Sequence, residues 1–572
     1  MKKGFLQRTK KLTGLFALGL ATSFALAACG STGQSDAGSY SGSSSSGSAA
    51  TNAGGGVDRI ATVSEKVLNI RIDSEPSTLD PNNGLTDQYG VIYSLVYEPL
   101  CRLDENGEAK AALATDWTVS DDGLTYTFQI RDDNKWSNGA ASTAADFEYA
   151  IKRIAKQESG TNWAQLVFDI KGVSAAYSGT ASVDDIGIHA EGNTLTVELE
   201  SAEAYFPRML AFSPYTPVNQ EYVESQNGAF GTDVVIGSGP YYVDSWSHDD
   251  VVVLKKNPYY WDVENTEFDT INVYVIGDAN TATNMFLSNE LDAVDITGTQ
   301  VPSVEAAGYQ IQAYDSGRSV YLRLNYTNKV LQNEKIRQAL SSAIDRETLA
   351  NNVLKDGSAA ATGLVTNGIA GANGKSFREI AGNTLVYGYD ESKAKDLFES
   401  GLAELGIEAK DITLNIIGKN TFSDTGTILA ALQEEFQNTF GITVNVENVD
   451  KTTYSSRSNE GDFDILLVAW GADWNDATTF LTQFDNNRDG SKPDQYNNDE
   501  FDALFDKAYN DASADALTRA GYLVDAEKIL LEEAGTIPIY FKGQYHVVSD
   551  RIEGLITQSV IPYEDFTQVK LK

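Results

Sequence analysis

The alternation of apolar and polar residues predicts strands at several separate places along the chain. Residues 125–130 and 194–199 alternate with a period of two, and residues 251–256 and 270–276 follow the same pattern. A period of two places one set of side chains on each face of a strand. Helical patterns lie between and after these strands, at 143–155, 333–343, 345–354, 392–405 and 518–533. Strands mixed with helices along one chain indicate an α/β or α+β fold.

The clearest pattern is a strand, a helix and two further strands in the second half of the chain. A strand is predicted at 413–417, a helix at 427–440 with apolar residues every four positions, and a second strand at 442–446. Gly441 is suited to end the helix because glycine adopts the left-handed conformation at low cost. The continuous apolar run at 464–470 predicts a strand that is buried on both faces of a parallel sheet.

The strand predicted at 464–470 ends in a segment that is suited to hold a ligand. In open α/β sheets, ligands collect at the carboxyl ends of the strands. Here that end carries two aromatic residues, a glycine and one carboxylate, in the order Trp470, Gly471, Ala472, Asp473 and Trp474. We therefore expect a ligand platform at this position, with Asp473 as its charged group.

The first 28 residues have the layout of a secretory signal. Basic residues at the start are followed by an uncharged, mostly apolar stretch at 12–28, which is too short for a permanent membrane span to be favoured. The stretch ends Leu-Ala-Ala before Cys29, which is the pattern of a bacterial lipobox, where the cysteine receives a diacylglycerol before cleavage. An ordinary secretory signal that happens to carry a cysteine there is the alternative.

Residues 29–56 are expected to form a lipid-bearing tether. Residues 31–56 contain nine serines and seven glycines, with Asp36 as the only charge. This composition cannot bury a core and behaves as a flexible chain. We therefore expect a protein that is lipid-anchored through Cys29 on the outer face of the bacterial cell membrane. Cys101 is then a lone thiol, and a small core residue is its favoured interpretation.

Length, charge and cysteine content exclude several classes of protein. The 572 residues are too many for one domain, and the 42% of hydrophobic residues can form substantial cores. With 43 Lys and Arg against 81 Asp and Glu, the formal charge is −38, so a phosphate backbone would be repelled and no nucleic-acid partner is expected. Two cysteines and three scattered histidines provide neither a disulfide framework nor a close set of zinc ligands, so no metal or cofactor is predicted.

Particular motifs bear on calcium binding and on hydrolysis. Residues 485–490 match the start of a calcium-binding loop, but position twelve is Tyr496 instead of Glu, so a polar turn is the favoured interpretation. A GxSxG motif is absent from the sequence, and the three distant histidines disfavour a nucleophile–base pair. The sequence therefore favours a binding protein over an enzyme, with no catalytic residue assigned.

Short motifs that follow one another along the chain carry a family resemblance. They are STLDP at 77–81, EPL at 98–100, LATDW at 113–117, SDDGLTYTF at 120–128, WSNG at 136–139, GSGPY at 237–241, NPYYW at 257–261, KIRQAL at 335–340, AIDR at 343–346, ADW at 472–474 and IPIYF at 537–541. With these motifs the chain resembles the peptide-type solute-binding proteins of ABC importers, the oligopeptide-binding branch of extracellular solute-binding family 5. The resemblance covers the chain after the tether.

The resemblance implies an α/β fold of the periplasmic-binding-protein type. It has two lobes joined by crossing strands, an extra inserted domain, and a ligand cleft between the lobes that closes by a hinge. The expected division is a signal at 1–28, the tether at 29–56, lobe I in three pieces at 57–103, 216–318 and 536–572, the inserted domain at 104–215, and lobe II at 319–535.

The resemblance also implies which side chains meet the ends of a peptide. Asp473 matches the carboxylate that receives the ligand's α-ammonium, and Trp474 stands where the family often has tyrosine; a turn or helix-cap role is the alternative for Asp473. Arg457 lies about one residue from a family position for a basic residue that meets the ligand carboxylate, and Leu467 occupies another such position. A solvated surface arginine is the alternative for Arg457.

The resemblance also implies contacts to the ligand main chain and a set of partners. Trp470, Gly471 and Ala472 would hold the ligand main chain by strand-like hydrogen bonds, and Asp87 and Tyr89 would line the facing lobe. The implied partners of this monomer are a short peptide, the permease subunits of an ABC importer, and the membrane through its lipid. A dipeptide, a signalling peptide, a nickel chelate or an oligosaccharide on the same fold, or a surface enzyme or adhesin, are the alternatives.

Overall fold

A computed structural model describes most of the chain after the tether. It covers residues 66–83, 90–156, 161, 164–226, 230, 235–420, 424–486, 494–511 and 514–572. The signal segment, Cys29 and the tether lie outside these residues, and so do Asp87 and Tyr89. No helix in the described ranges is both long enough and apolar enough to cross a bilayer.

Strands are distributed over the whole described chain. They are β1 (Val67–Ile72), β2 (Cys101–Leu103), β3 (Ala109–Ala111), β4 (Ala114–Val119), β5 (Thr125–Ile130), β6 (Ile188–Glu191), β7 (Thr194–Glu198), β8 (Tyr241–Ser247), β9 (Val251–Lys256), β10 (Thr270–Val275), β11 (Ala293–Ile296), β12 (Gln312–Leu324), β13 (Ala359–Ala360), β14 (Thr413–Lys419), β15 (Thr443–Val449), β16 (Ile465–Gly471), β17 (Thr536–Val548), β18 (Ile552–Glu553), β19 (Ile556–Thr557), β20 (Glu564–Asp565) and β21 (Lys570–Leu571). The four alternating segments predicted from the sequence form β5, β7, β9 and β10.

Helices separate most of the longer strands. They are α1 (Gly90–Val96), α2 (Ala144–Ile154), α3 (Val173–Tyr177), α4 (Phe206–Met209), α5 (Gln220–Ser225), α6 (Ala279–Leu287), α7 (Val301–Ala306), α8 (Lys329–Gln332), α9 (Glu334–Ala343), α10 (Arg346–Thr348), α11 (Phe377–Ala381), α12 (Glu391–Leu405), α13 (Thr425–Phe440), α14 (Lys451–Glu460), α15 (Thr478–Leu481), α16 (Asp499–Asn510) and α17 (Ala516–Glu532). The helix predicted at 345–354 is wrong in kind, because α10 ends after one turn and Leu349–Leu354 is π-helical.

Two sheets of four strands lie in the first half of the chain. One has the order β1-β10-β9-β8, and within it only β1 and β10 run parallel. The other has the antiparallel order β4-β5-β7-β6 and is formed entirely by residues 114–198. Along β5 the side chains of Tyr126, Phe128 and Ile130 are buried, so the alternation read from the sequence marks the face that packs on the core.

The largest sheet has the order β11-β17-β12-β16-β14-β15. β14, α13 and β15 form a parallel β-α-β unit, and β16 runs parallel to β14 on its other side. The parallel surroundings predicted for residues 464–470 are wrong on one side, because β12 pairs with β16 in antiparallel fashion. The prediction of burial on both faces also fails after Leu467, where the residues of β16 are only half-buried.

Helix α13 packs on this sheet through the apolar stripe that the sequence predicted. Ile428, Leu432, Phe436 and Phe440 are all buried, and four-residue spacing places them on one face of the helix. The helix ends at Gly441, which has a φ of 66°. A stripe of this kind fixes α13 on the sheet and thereby directs its N-terminus to one end of the strands.

Two strands of 13 residues, β12 and β17, run through the middle of the largest sheet. They pair with each other along their length, while one end of β17 pairs with β11 and one end of β12 pairs with β16. Their register shifts between Asp315 and Arg318. Gly317 has a φ of 60° there, and a Cβ atom on it would lie 1.7 Å from the carbonyl oxygen of Ser559. Glycine is therefore required at this bend.

Candidate functional site

The segment after β16 is a tight turn held by its own side chains and by α15. The indole Nε1 of Trp470 donates a hydrogen bond to the carbonyl oxygen of Thr479 at 3.1 Å. The backbone N–H of Asp473 donates to Oγ1 of Thr479 at 3.0 Å, and the indole Nε1 of Trp474 donates to Oγ1 of Thr478 at 2.9 Å. These bonds fix the turn so that the side chain of Asp473 stays half-buried at the end of the strand.

The two residues that follow this turn are structural. Asn475 accepts a hydrogen bond from the backbone of Ala370 at 2.8 Å and donates to the carbonyl oxygen of Gly107 at 3.1 Å. The carboxylate of Asp476 is buried and binds the guanidinium of Arg519 through two contacts of 2.8 and 3.0 Å. Burial raises the pKa of Asp476, but the charge and hydrogen bonds of Arg519, the charge of Arg208 and the hydrogen bond from Thr478 together outweigh it, so the pKa lies below its ordinary value.

The side chain of Asp476, the third residue after Asp473, caps the start of α15. Oδ1 of Asp476 accepts a hydrogen bond from the backbone N–H of Thr478 at 3.1 Å and another from the hydroxyl of Thr478 at 2.9 Å. Local turn geometry therefore explains an aspartate at position 476. At position 473 the backbone N–H donates to Oγ1 of Thr479, a contact that any residue type other than proline could make.

Gly471 lies directly against a guanidinium. It pairs across the sheet with Arg318 of β12, and a Cβ atom on Gly471 would lie 3.2 Å from Nη2 of Arg318. A side chain at position 471 would therefore push the guanidinium aside. Ala472 is buried, and its backbone N–H donates to the carbonyl oxygen of Gly317 at 2.9 Å. The end of β16 is thus joined to the bend in β12.

One edge of β16 is open over the residues that lead to this turn. β14 pairs with Ile465, Leu466 and Leu467 only, whereas β12 pairs with every residue of β16. In the described part of the chain, no strand pairs with the other side of Val468–Gly471. Backbone groups in a strand point alternately to its two sides, so this stretch presents donors and acceptors to a further strand.

A cavity of about 230 Å³ lies beside this open edge. Its walls come from β12, β14, β16, β17, α13 and α14. It is lined by Arg318, Val320, Tyr321, Arg323, Lys419, Asp424, Thr425, Ile428, Tyr454, Ser458, Leu466, Leu467, Val468, Ala469, Trp470, Gln483, Tyr540 and Lys542. Four of these residues are basic and one is acidic, which is notable in a chain with a formal charge of −38. The cavity is therefore suited to an anionic group.

Lys419 is the basic residue of this cavity that most needs a counter-charge. Arg323 binds Asp494 at 2.6 Å, and Lys542 binds Asp356 at 2.6 Å and Asp424 at 2.8 Å. In contrast, no acidic group of the described chain pairs with the ammonium of Lys419. Burial, and then the positive charges of Lys451 and Arg318, lower the pKa of Lys419. A carboxylate placed in the cavity would reverse this effect.

A larger cavity of about 1020 Å³ adjoins the first one and shares Arg318, Asp424 and Lys542 with it. Residues of β1 form one wall, and residues of β11, β12 and β17 form another. The larger cavity therefore lies between the four-stranded sheet of β1 and the strands that cross the molecule. Together the two cavities form the cleft of this structure.

Arg457 is placed away from both cavities. It lies on α14, where its guanidinium binds Glu447 at 3.0 Å and Asp462 at 3.0 Å. The next residue, Ser458, lines the smaller cavity instead. One step along an α-helix turns the side-chain direction by about 100°, so a displacement of one residue moves the arginine off the cleft-facing side.

The other predicted residues divide into those described and those outside the described chain. Leu467 lines the smaller cavity with an apolar side chain, and the positive charge comes from neighbouring strands. Cys101 is buried, and burial raises the pKa of its thiol to about 12, so it is a core residue rather than a nucleophile. Asp87 and Tyr89 lie outside the described residues, as do 487–490 of the calcium-like motif.

Comparisons with known proteins give the fold and the family. Residues 108–492 match the family described as bacterial extracellular solute-binding proteins, family 5 middle. Two curated relatives from Bacillus subtilis (strain 168) are similar over most of their length. The dipeptide-binding protein DppE is 31% identical over 97% of this chain and 98% of its own. The oligopeptide-binding protein OppA is 30% identical over 86% of this chain and 90% of its own.

A solved structure agrees with these matches. The substrate-binding domain of an oligopeptide ABC transporter from Bacillus anthracis str. Ames has a TM-score of 0.71 and 28% identity, over 89% of this chain and 99% of that one. The predicted two-lobed periplasmic-binding-protein fold is therefore confirmed. Proteins of this family bind solutes and do not catalyse reactions, which also confirms the prediction of a non-enzyme. The chain belongs to the bacterial extracellular solute-binding proteins of family 5.

Proposed function

We propose that this protein captures short peptides outside the cell and delivers them to the permease of an ABC importer. The observation that carries the proposal is the open edge of β16 at Val468–Gly471, with a carboxylate at its end and a basic cavity beside it. A peptide is the solute that uses all three features, because it has a main chain that can pair as a strand, an ammonium and a carboxylate. The relatives named as dipeptide- and oligopeptide-binding proteins support this choice.

The main chain of the peptide pairs with the open edge of β16. The three steps from Val468 to Gly471 cover about 10 Å at about 3.3 Å per residue, which matches an extended peptide of about four residues. Trp470 and Gly471 lie on the open edge, and Trp470 adds its flat indole surface. Ala472 follows this edge and has only its carbonyl oxygen to offer, because its N–H already binds Gly317. Because backbone pairing does not depend on side chains, this mode accepts many sequences.

The two ends of the peptide meet opposite charges. Its α-ammonium binds the carboxylate of Asp473, beside Trp474, and its carboxylate enters the basic cavity. We assign the carboxylate to Lys419 rather than to Arg457, because Arg457 is already bound by two acidic side chains while Lys419 has no acidic partner in the described chain. Asp87 and Tyr89 are retained as proposed contacts from the facing side of the cleft.

Calorimetry with peptides that differ only in their backbone tests this proposal. A tetrapeptide should bind, and the same peptide with one central amide N-methylated should bind at least about tenfold more weakly, because a strand pairing loses a donor and gains a bulky group. A peptide of equal length and composition that carries the methyl group on a side chain is the control. Equal affinity for both methylated peptides would contradict pairing with β16.

We further propose that the two lobes close over the peptide by bending β12 and β17. Lobe I would comprise 57–103, 216–318 and 536–572, lobe II 319–535, and 104–215 would be the inserted domain. The register shift and the obligatory glycine at Gly317 support a bend at this position. Small-angle scattering of the monomer should show a smaller radius of gyration when peptide is added, and an unchanged radius would argue against closure.

We also propose that Cys29 carries the lipid that holds the protein on the outer face of the cell membrane. The Leu-Ala-Ala-Cys pattern and the serine- and glycine-rich segment behind it support this assignment. A Cys29→Ser variant should be released into the medium or left unprocessed. Equal membrane retention of fully processed variant and wild type would refute the anchor.

A further inference from the structure

A histidine and two carboxylates converge on the wall of the larger cavity. Asp295 and His546 face each other across the pairing of β11 with β17, and Glu564 comes from β20. Nδ1 of His546 lies 3.2 Å from Oδ1 of Asp295 and 2.7 Å from Oε1 of Glu564. One ligand atom from each of the three side chains lies within 4.8 Å of the other two. Three strands that are distant in sequence thus place three metal-ligating groups together.

The charges of this cluster do not balance when a proton alone occupies it. The imidazole is fully buried, while the two carboxylates reach the cavity with small exposed fractions. A protonated imidazole between two carboxylates leaves a net charge of −1. Of the basic groups on the cavity wall, Arg71 is bound to Asp73 at 2.6 Å and to the carbonyl oxygen of Ile276 at 2.8 Å, and its charge also acts on Asp295 from outside the cluster. A divalent cation with a neutral imidazole would bring the cluster to zero.

Three further basic residues, Lys542, Arg318 and Lys355, line the same cavity. Lys542 is bound to Asp356 and Asp424, and Arg318 lies against Gly471. No ion pair joins any of these three basic residues to the cluster in the described chain. A divalent cation from the solution would add positive charge directly between Asp295 and Glu564.

We propose that Asp295, His546 and Glu564 bind one divalent transition-metal ion, with zinc as the best match, at the wall of the cleft. Zinc is bound at about 2.0–2.2 Å by histidine nitrogen and carboxylate oxygen, so two of its ligand atoms lie at most about 4.4 Å apart. The three ligand atoms lie within 4.8 Å of one another, which is about 0.4 Å beyond this separation at most, and the 2.7 Å contact between His546 and Glu564 would lengthen on binding. Because Asp295 and Glu564 line the cavity, at least one coordination position faces the cleft and is open to water or solute.

The nitrogen ligand decides the class of metal. Calcium and magnesium prefer sites made of oxygen atoms alone, whereas imidazole suits zinc and the neighbouring transition metals. A chain with this much negative charge also attracts divalent cations without a specific site. A test must therefore separate coordination by His546 from attraction to the acidic surface.

The three histidines of the chain provide that separation without any substitution. Full-length protein, purified in detergent without a polyhistidine tag and freed of metal with a chelator, is labelled with ¹⁵N-histidine and titrated with zinc chloride. Zinc should shift the imidazole signals of one histidine, His546, at about one equivalent, while those of His189 and His248 move only at higher concentration. Zinc shifts confined to His189 and His248 would overturn the proposal.

Two isosteric variants and one matched control test the carboxylate ligands by calorimetry. Asp295→Asn and Glu564→Gln keep the shape of the side chains, and Glu553→Gln removes the same charge from an exposed site on nearby β18. Loss of a group in the second shell already costs about 10- to 100-fold in affinity, so each ligand variant should bind zinc at least about tenfold more weakly than Glu553→Gln. Equal zinc affinities in the three variants, or equal affinity of wild type for calcium and zinc, would overturn the site. Either result leaves the peptide-binding proposal untouched, because peptide binding is measured separately.

Discussion

Replacing Asp473 with asparagine removes the charge that is proposed to bind the peptide's ammonium while keeping the shape of the side chain. The backbone N–H of Asp473 and the side chain of Asp476, both of which hold the turn, are unchanged in this variant. A hydrogen bond to a charged group contributes about 1.5–3 kcal/mol net. Since 1.4 kcal/mol corresponds to a tenfold change, the variant should bind a free peptide about 10- to 100-fold more weakly.

The size of this effect depends on how deeply the pair is buried. Asp473 is half-buried in the present structure, so water screens part of its charge and the lower end of the range applies if the cleft stays open. Closure of the cleft over the peptide would exclude that water and move the effect toward the upper end. The size of the loss in affinity therefore indicates whether the cleft closes over the peptide, as well as whether Asp473 contacts the ammonium.

Acetylation of the peptide removes the same charge from the other partner. Calorimetry of wild type and Asp473→Asn with free and acetylated peptide forms a double-mutant cycle. Wild type should strongly prefer the free peptide, and the variant should discriminate far less. Asp396→Asn, at an exposed position on α12, is the control for loss of one negative charge. If wild type binds both peptide forms equally, the ammonium is held elsewhere and the assignment of Asp473 is wrong.

Three further predictions follow from contacts near the cleft. Lys419→Gln should weaken binding of peptides with a free carboxylate by about tenfold and leave C-terminally amidated peptides unaffected, as measured by calorimetry. Gly317→Ala should lower the melting temperature, because the added Cβ atom collides with Ser559. The left-handed backbone alone costs a residue with Cβ about 1–2 kcal/mol. An unchanged melting curve would contradict the bend. The pKa of Asp476 is lowered in the folded state by Arg519, so its stabilising contribution is complete at neutral pH and is lost as the pH falls below about 4. Asp476→Asn should therefore be less stable at neutral pH but lose less stability on acidification, and parallel pH curves for the two proteins would disprove this.

The position of Asp473 could be predicted from sequence because its signal is local. An apolar run that ends in a glycine and a carboxylate marks the end of a buried strand whichever strands lie beside it. The same holds for α13, whose apolar stripe and terminal Gly441 are read from consecutive residues. Local periodicity thus accounts for these elements and for the position of the residue proposed to form one end of the site.

The basic cavity could not be predicted because its residues come together only through strand order. Arg318 reaches the end of β16 from β12, and Lys419 reaches the cavity from the far end of β14. The local pattern of residues does not predict that β12 pairs with β16. The parallel surroundings expected for that strand failed for the same reason.

Arg457 shows why a motif comparison alone could not assign the partner of the peptide carboxylate. Its place in the motif pattern is displaced by one residue, and one residue along a helix turns the side-chain direction by about 100°. In the structure Ser458 occupies the cavity wall and Arg457 binds acidic side chains outside it. Helical geometry, which a motif comparison ignores, decided which of the two neighbours reaches the cleft.

A peptide bound beside β16 is the solute that we propose for this cleft. Native mass spectrometry of protein purified gently from cells, followed by sequencing of the released ligand, identifies that solute. We expect a ladder of bound masses that differ by amino-acid residues, with free N-termini and intact chains. Recovery of a single sugar or metal chelate in the cleft, with no peptide bound before or after peptide is added, would contradict it.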